Sequence, residues 1–230
     1  MSDVVLSDVH LRLDRPDRGE RLARVVEGLG GGDRLFVVGD LCDFWFTSRQ
    51  RNVNPLRCAG LAALIRFRER GGVLRILLGN HDAWMGPLYA RWFGVEIDAQ
   101  PLRVESHGLQ LELAHGHLFK EKPKWKSWME GRVFLESFAR LPEPCARALE
   151  RLLDATNERT RAAAELRMIA AYRARAQSMP DPPDLLIYGH VHRVADEPGP
   201  PRLVVLGDWI EGTRYLRIEQ TGALHVDEGL

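Results

Sequence analysis

Apolar and polar positions fall in blocks along this chain, and six short apolar runs each pass directly into a turn of glycine and polar residues. Residues 4–6 lead to Ser7-Asp8, 35–38 to Gly39-Asp40, and 74–78 to Gly79-Asn80. Residues 109–114 lead to His115-Gly116, 185–188 to Gly189-His190, and 203–206 to Gly207-Asp208. Runs this short, rich in branched side chains and closed by turn residues, predict buried strands. Residues 20–29 and 56–70 carry apolar positions at helical spacing, and glycines follow each segment as a stop. The chain therefore opens as βαβ, which predicts parallel pairing among the first strands. The later strands, joined by shorter connections, predict a second sheet. The expected α/β architecture is two sheets packed together with helices outside.

Residues 119–179 break this rhythm. Residues 123–140 read as one helix, with Trp125, Trp128, Met129, Leu135 and Phe138 in an imperfect apolar stripe. Pro142 and Pro144 end it, and residues 145–176 read as one or two further helices stopping near Pro180. This segment is expected to be a helical cap inserted into a single domain spanning residues 1–230.

Charge sharpens that division. The whole chain is neutral, yet residues 119–179 hold 13 Lys and Arg against 8 Asp and Glu, leaving the remainder net acidic. An acidic body suits cations and a basic insert suits an anionic substrate. Overall neutrality argues against broad binding to nucleic acid. No run approaches the ~18 apolar residues that cross a bilayer, and residues 1–10 lack the pattern of a secretory signal. Cys42, Cys58 and Cys145 are odd in number and form no C-x-x-C pair, which predicts a reducing, cytoplasmic setting without thiolate metal sites.

The turns after the strands carry the chemistry. Asp8-x-His10, Gly39-Asp40-x-x-Asp43, Gly79-Asn80-His81-Asp82, His115-Gly116-His117 and Gly189-His190-x-His192 each follow a predicted strand. Ligands of α/β sheets bind where such loops converge. Imidazole and carboxylate without thiolate suit divalent Mn, Fe or Zn. Taken singly, each cluster reads more readily as a cap, an Asx turn or a surface loop. All five together, each at a strand end, point to a two-cation site acting on a phosphate.

This series of motifs resembles the signature of the calcineurin-like metallophosphoesterases, over residues 8–192 and outside the insert. The resemblance implies a four-layer αββα sandwich of two mixed sheets. It further implies that Asp8, His10 and His192 hold one ion, that Asp40 bridges, and that Asn80, His115 and His190 hold the second. By the same likeness His81 aids the leaving oxygen and Asp43 orients its ring, while a hydroxide held by the metals attacks in line. A narrower likeness is to the UDP-2,3-diacylglucosamine pyrophosphatases of lipid A synthesis. It rests on the compact size, the helical insert after His115-Gly116, the sequence Gly189-His190-Val191-His192-Arg193, and Val204-Val205-Leu206-Gly207-Asp208-Trp209. That family cleaves its lipid nucleotide to lipid X and UMP and is usually manganese-dependent.

In that reading Trp125, Trp128, Met129, Phe134, Leu135 and Phe138 line a chamber for acyl chains. Lys120, Lys122, Lys124, Lys126, Arg132, Arg151 and Arg193 approach phosphate groups, and the cap touches the inner face of the membrane. The sequence departs from the best-known branch at His81 and His117, where that branch has arginine and aspartate. Two alternatives stay open: a phosphodiesterase or nucleotide pyrophosphatase acting on water-soluble substrates, and a metal-free binding scaffold. Trp125 and Trp128 also read as helix packing, the lysines as a solvated face, Cys42 as a small packing residue, and His107 as structural. Asp208 and Trp209 read as a structural turn or a contact to the cap.

Overall fold

A computed structural model of the chain describes residues 2–43, 54–119, 161–210, 212–219 and 224–229, with 137, 140–142, 144, 145 and 148 besides. The first sheet has the strand order β10-β9-β1-β2-β3. In it β1 (Asp3–Leu6), β2 (Arg34–Val38) and β3 (Val73–Leu77) run parallel. β9 (Thr213–Ile218) pairs antiparallel with β1, and β10 (Leu224–Gly229) antiparallel with β9. The second sheet has the order β4-β5-β6-β8-β7. Its centre is again parallel, formed by β5 (Leu109–Ala114), β6 (Leu185–Tyr188) and β8 (Arg202–Val205). The antiparallel strands β4 (Leu102–Ser106) and β7 (Ala195–Glu197) form its edges.

The two-residue period of a strand decides which layer each side chain enters. Val5, Phe36, Val38 and Leu77 of the first sheet meet Leu111, Leu113, Leu185, Ile187 and Val204 of the second, and this is the core between the sheets. The alternate residues Val4, Leu6, Leu35, Val37, Leu74 and Ile76 face the helices on the other side. Those helices are α1 (Pro16–Glu27), α2 (Ala59–Glu69) and α3 (Gly86–Phe93). Pro16 opens α1, where a missing N–H costs nothing, and Gly94 in a left-handed conformation closes α3. On the outer face of the second sheet, Leu186, Tyr188, Leu203 and Val205 pack against Ile169, Tyr172 and Ala176 of α4 (Arg161–Ser178). The result is the four-layer αββα sandwich.

Several boundaries shift from the sequence expectation. The helix expected at 20–29 begins at Pro16, and that at 56–70 becomes a 3₁₀ turn (Pro55–Arg57) followed by α2. Helix α3 and strands β4, β7, β9 and β10 were not in the pattern of apolar runs. Helix α4 lies within the segment expected as a cap, and its buried face is seated on the second sheet. Residues 120–136 and 149–160 fall outside the described residues, and with them Lys120, Lys122, Lys124, Trp125, Lys126, Trp128, Met129, Arg132, Phe134, Leu135 and Arg151; Phe138 does as well. Among the described residues no helix is long and apolar enough to cross a membrane.

Candidate metal centre

Six parallel strands, three from each sheet, end on one edge of the sandwich, and their following loops carry the motif residues. The backbone there is strained. Of the five non-glycine residues with positive φ among the described residues, four belong to these loops: Asp8, His10, Asp40 and His190. Such conformations cost energy for residues with a Cβ and cluster at functional sites. Glycine allows the loops to touch. A Cβ on Gly79 would run into the Asp40 carboxylate, and one on Gly189 into Ser7 and Asp8.

The polar atoms gather in two overlapping groups. In the first, the His10 Nε2 lies 3.8 Å from Asp8 Oδ1 and 3.9 Å from Asp40 Oδ2, and His192 Nε2 lies 4.0 Å from Asp8 Oδ1. The other oxygen of Asp8 is already engaged, by the Ser7 hydroxyl and by the His190 N–H at 2.9 Å. In the second, Asp40 Oδ2 lies 3.2 Å from His115 Nε2, which is 3.2 Å from Asn80 Oδ1, and His190 completes the cluster. Asp40 therefore belongs to both. Its Oδ1 accepts the His81 N–H at 2.8 Å, which holds the carboxylate's plane.

These donors fit divalent cations. Asp8 Oδ1 and His10 Nε2 are buried without a hydrogen-bond partner, yet face each other across 3.8 Å. Buried polar atoms are normally satisfied, and a gap of this size between a carboxylate and an imidazole is one that a cation closes. Asp8–His10–His192 and Asp40–His115–His190 each bring three donor atoms within 4.8 Å of one another, as do His10, Asp40 and His81.

Electrostatics supports the same reading. Burial opposes the charge of Asp40, but His115, His81 and His10 hold its carboxyl well below the usual range. Burial would lower His115, yet the Asp40 and Asp8 carboxylates and the hydrogen bonds to Asp40 and the Val38 carbonyl raise it to about 9. Burial and then the neighbouring His115 charge lower His190 to about 3. His81 points Nδ1 at Asp43 Oδ1, 2.8 Å away. Burial opposes the charge of both partners, but Asp40 and Asp43 raise His81, while His10 and His81 pull Asp43 down.

All nine residues named for metal or catalysis thus meet at one place. Arg193, beside His192, is exposed. Cys42 is buried among apolar residues, as a packing role requires. Three residues near the site, besides Asp208, were not given a role by the sequence. Asp82 accepts the N–H groups of Gly79 and Leu41 and ties two of the loops together. Gln100 accepts the His115 N–H at 2.8 Å and donates to the Leu78 carbonyl. Arg12 reaches Asp43 Oδ2 at 3.3 Å. Asp208, expected as a turn or a cap contact, accepts the Ile210 N–H at 3.1 Å and also lies 2.8 Å from His192 Nδ1. The sequence signal for it was its place after a strand, the same signal that marked the other five clusters.

With fold and site in view, the chain belongs to the calcineurin-like phosphoesterase family, whose profile matches residues 2–194. It is a metal-dependent phosphoester hydrolase. Among its relatives is a UDP-2,3-diacylglucosamine hydrolase of Aeromonas salmonicida (strain A449), 30% identical over 92% of this chain and 87% of that one. A protein of the same name from Aeromonas hydrophila is 29% identical over 92% of each chain. A third, from Hahella chejuensis, is 26% identical over 96% of this chain and 95% of its own.

Proposed function

We propose that the protein cleaves the pyrophosphate of UDP-2,3-diacylglucosamine, giving lipid X and UMP. Support for the substrate comes from the relatives of that name, which match this chain over nearly its full length and theirs. The observation that carries the chemistry is the pair of partnerless buried atoms, Asp8 Oδ1 and His10 Nε2, beside a carboxylate shared with a second imidazole group. Asp8, His10 and His192 would hold one ion, Asn80, His115 and His190 the other, and Asp40 both. The proposed ions are Mn²⁺, with Fe or Zn compatible with the same donors. When bound, such ions neutralise charge building on the phosphoryl oxygens and make water nucleophilic near neutral pH.

The chain's own residues do the rest. His81, held through Nδ1 by Asp43, presents Nε2 as the proton donor to the departing oxygen. Arg193 contacts a substrate phosphate, and the insert between β5 and β6 covers the acyl chains and meets the membrane surface.

Three measurements test this reading. His81→Ala should keep two equivalents of metal yet lose roughly 10²–10⁴-fold in kcat, whereas Asp40→Ala should lose metal. Equal metal loss in both would make His81 a ligand. Turnover of UDP-2,3-diacylglucosamine should exceed that of a water-soluble phosphodiester and depend on detergent. Faster turnover of the soluble diester would reassign the substrate. Liposome flotation should carry the protein, and absence from the lipid fraction would remove the membrane contact.

A further inference from the structure

The imidazoles of the two groups are backed differently. His115 sets its Nδ1 3.0 Å from a neutral carbonyl, that of Val38. In the first group both histidines face carboxylates from behind: His10 Nδ1 lies 3.5 Å from Asp43, and His192 Nδ1 lies 2.8 Å from Asp208. We propose that Asp208 is a positioning residue that fixes His192 in its ligating tautomer and makes the first site the tighter of two unequal cation sites. This rests on the two-cation centre proposed above.

Topology explains why Asp208 can do this. β6 and β8 are parallel neighbours in register, Tyr188 opposite Val205. The loops that leave them therefore run side by side, one carrying His192 and the other Asp208. The second loop is clamped. The Trp209 N–H donates to the Asp8 carbonyl at 3.2 Å, Arg21 donates to the Trp209 carbonyl at 2.6 Å, and the Trp209 side chain is fully buried in the core. Asp208 is buried, its Oδ1 accepts the Ile210 N–H at 3.1 Å, and its Oδ2 is the oxygen that lies 2.8 Å from His192 Nδ1. An acceptor behind Nδ1 keeps the proton on that nitrogen and leaves the Nε2 lone pair free. A carboxylate in this position also makes the ring a better donor to a cation. The first group already holds Asp8 as a carboxylate of its own, where the second offers the neutral Asn80. Ligand charge and backing both favour the first site.

Asparagine is the informative substitution. Asp208 sets one oxygen against the Ile210 N–H and the other against His192 Nδ1, and an amide has only one oxygen. In Asp208→Asn the NH₂ must oppose either the Ile210 N–H or His192 Nδ1. In the second case it drives the proton to Nε2 and blocks ligation. Asp208→Ala removes the acceptor without adding a donor, so Asn should be at least as damaging as Ala.

The test titrates metal-free protein with Mn²⁺ alone, followed by calorimetry and electron paramagnetic resonance. Wild type should bind in two steps, an isolated-ion signal preceding the coupled two-ion signal. Both variants should weaken the first step by 10–100-fold and leave the second within about threefold, so that the coupled signal appears from the start. Should Asp208→Asn not fold, Asp208→Ala carries the same test. Two-step binding unchanged in the variants, or equal weakening of both steps, would overturn the role of Asp208. Failure of wild type to bind two ions would instead overturn the metal centre itself.

Discussion

His115 and His190 sit in one cluster with ring centroids 5.2 Å apart, yet their protons behave oppositely. The Asp40 and Asp8 carboxylates outweigh burial at His115, raised to about 9, whereas burial and the His115 charge lower His190 to about 3. In the metal-free protein each shift sets a slope of stability against pH. Between about 3 and 6.5 the unfolded chain binds a proton at His190 that the folded protein refuses, so stability rises with pH. For His115 the contribution is full below 6.5 and is lost as pH climbs through about 9. Thermal melts of chelator-treated protein should therefore peak near pH 6.5 and fall on the alkaline side, by a loss on the order of 3 kcal/mol. A flat profile from pH 6.5 to 9 would contradict the His115 shift. The same proton must leave when a cation takes Nε2. Mn²⁺ binding at pH 7.5 should release at least one proton, because His10 as well as His115 is held well above its ordinary value, and fewer as pH climbs past about 9. Calorimetry in two buffers of different ionisation enthalpy measures this directly.

At the scale of elements, the loops after β2 and β3 are held together by Asp82, which is fully buried. Its Oδ1 accepts the Gly79 N–H at 2.7 Å, and its Oδ2 accepts the Leu41 N–H at 2.9 Å and the Tyr89 hydroxyl at 2.8 Å. Asp82→Asn places an NH₂ against one of these donors and should cost about 1–3 kcal/mol in chemical denaturation. Because Asp40 and Asn80 lie on the two clasped loops, metal affinity should fall with it. Tyr89→Phe, which removes one donor and leaves both N–H contacts, should cost less. Equal losses in the two variants would mean that the loops do not depend on Asp82. The sequence revealed these loops because branched apolar runs ended in Gly-Asp and Gly-Asn. It did not reveal β4, β7 or β9, where Arg103, Glu105, Asp196, Arg214 and Arg217 interrupt the apolar pattern at sheet positions only half covered. Helix α3 is short, and glycines at both ends mask its apolar face. Asp208 was visible as a residue after a strand. Its partner was not, because the pairing of β6 with β8 is a property of the sheet and leaves no mark on the local sequence.

Across the whole molecule, the centre draws Asp8, Asp40 and Asn80 from loops of the first sheet, and His115, His190 and His192 from loops of the second. Beneath it the two sheets meet through an apolar core that includes Val38, Leu77, Leu113 and Ile187. Cations held by both sets of loops would therefore act as clips across the sandwich, their binding free energy adding to that of the intersheet core. A ligand held by the folded state alone adds about 2.7 kcal/mol at 100 times its Kd. For a domain of this size each kcal/mol moves Tm by roughly 2–4 °C. Saturating one site with Mn²⁺ should thus raise the calorimetric Tm by about 5–10 °C over chelator-treated protein. Asp40→Ala, which takes from both groups the carboxylate they share, should abolish the rise. Ile187→Ala, in the intersheet core, should lose about 2–5 kcal/mol of stability yet keep a Mn²⁺-dependent rise, because its loops still converge. A rise that survives Asp40→Ala would place the stabilising cations somewhere other than between the two sheets.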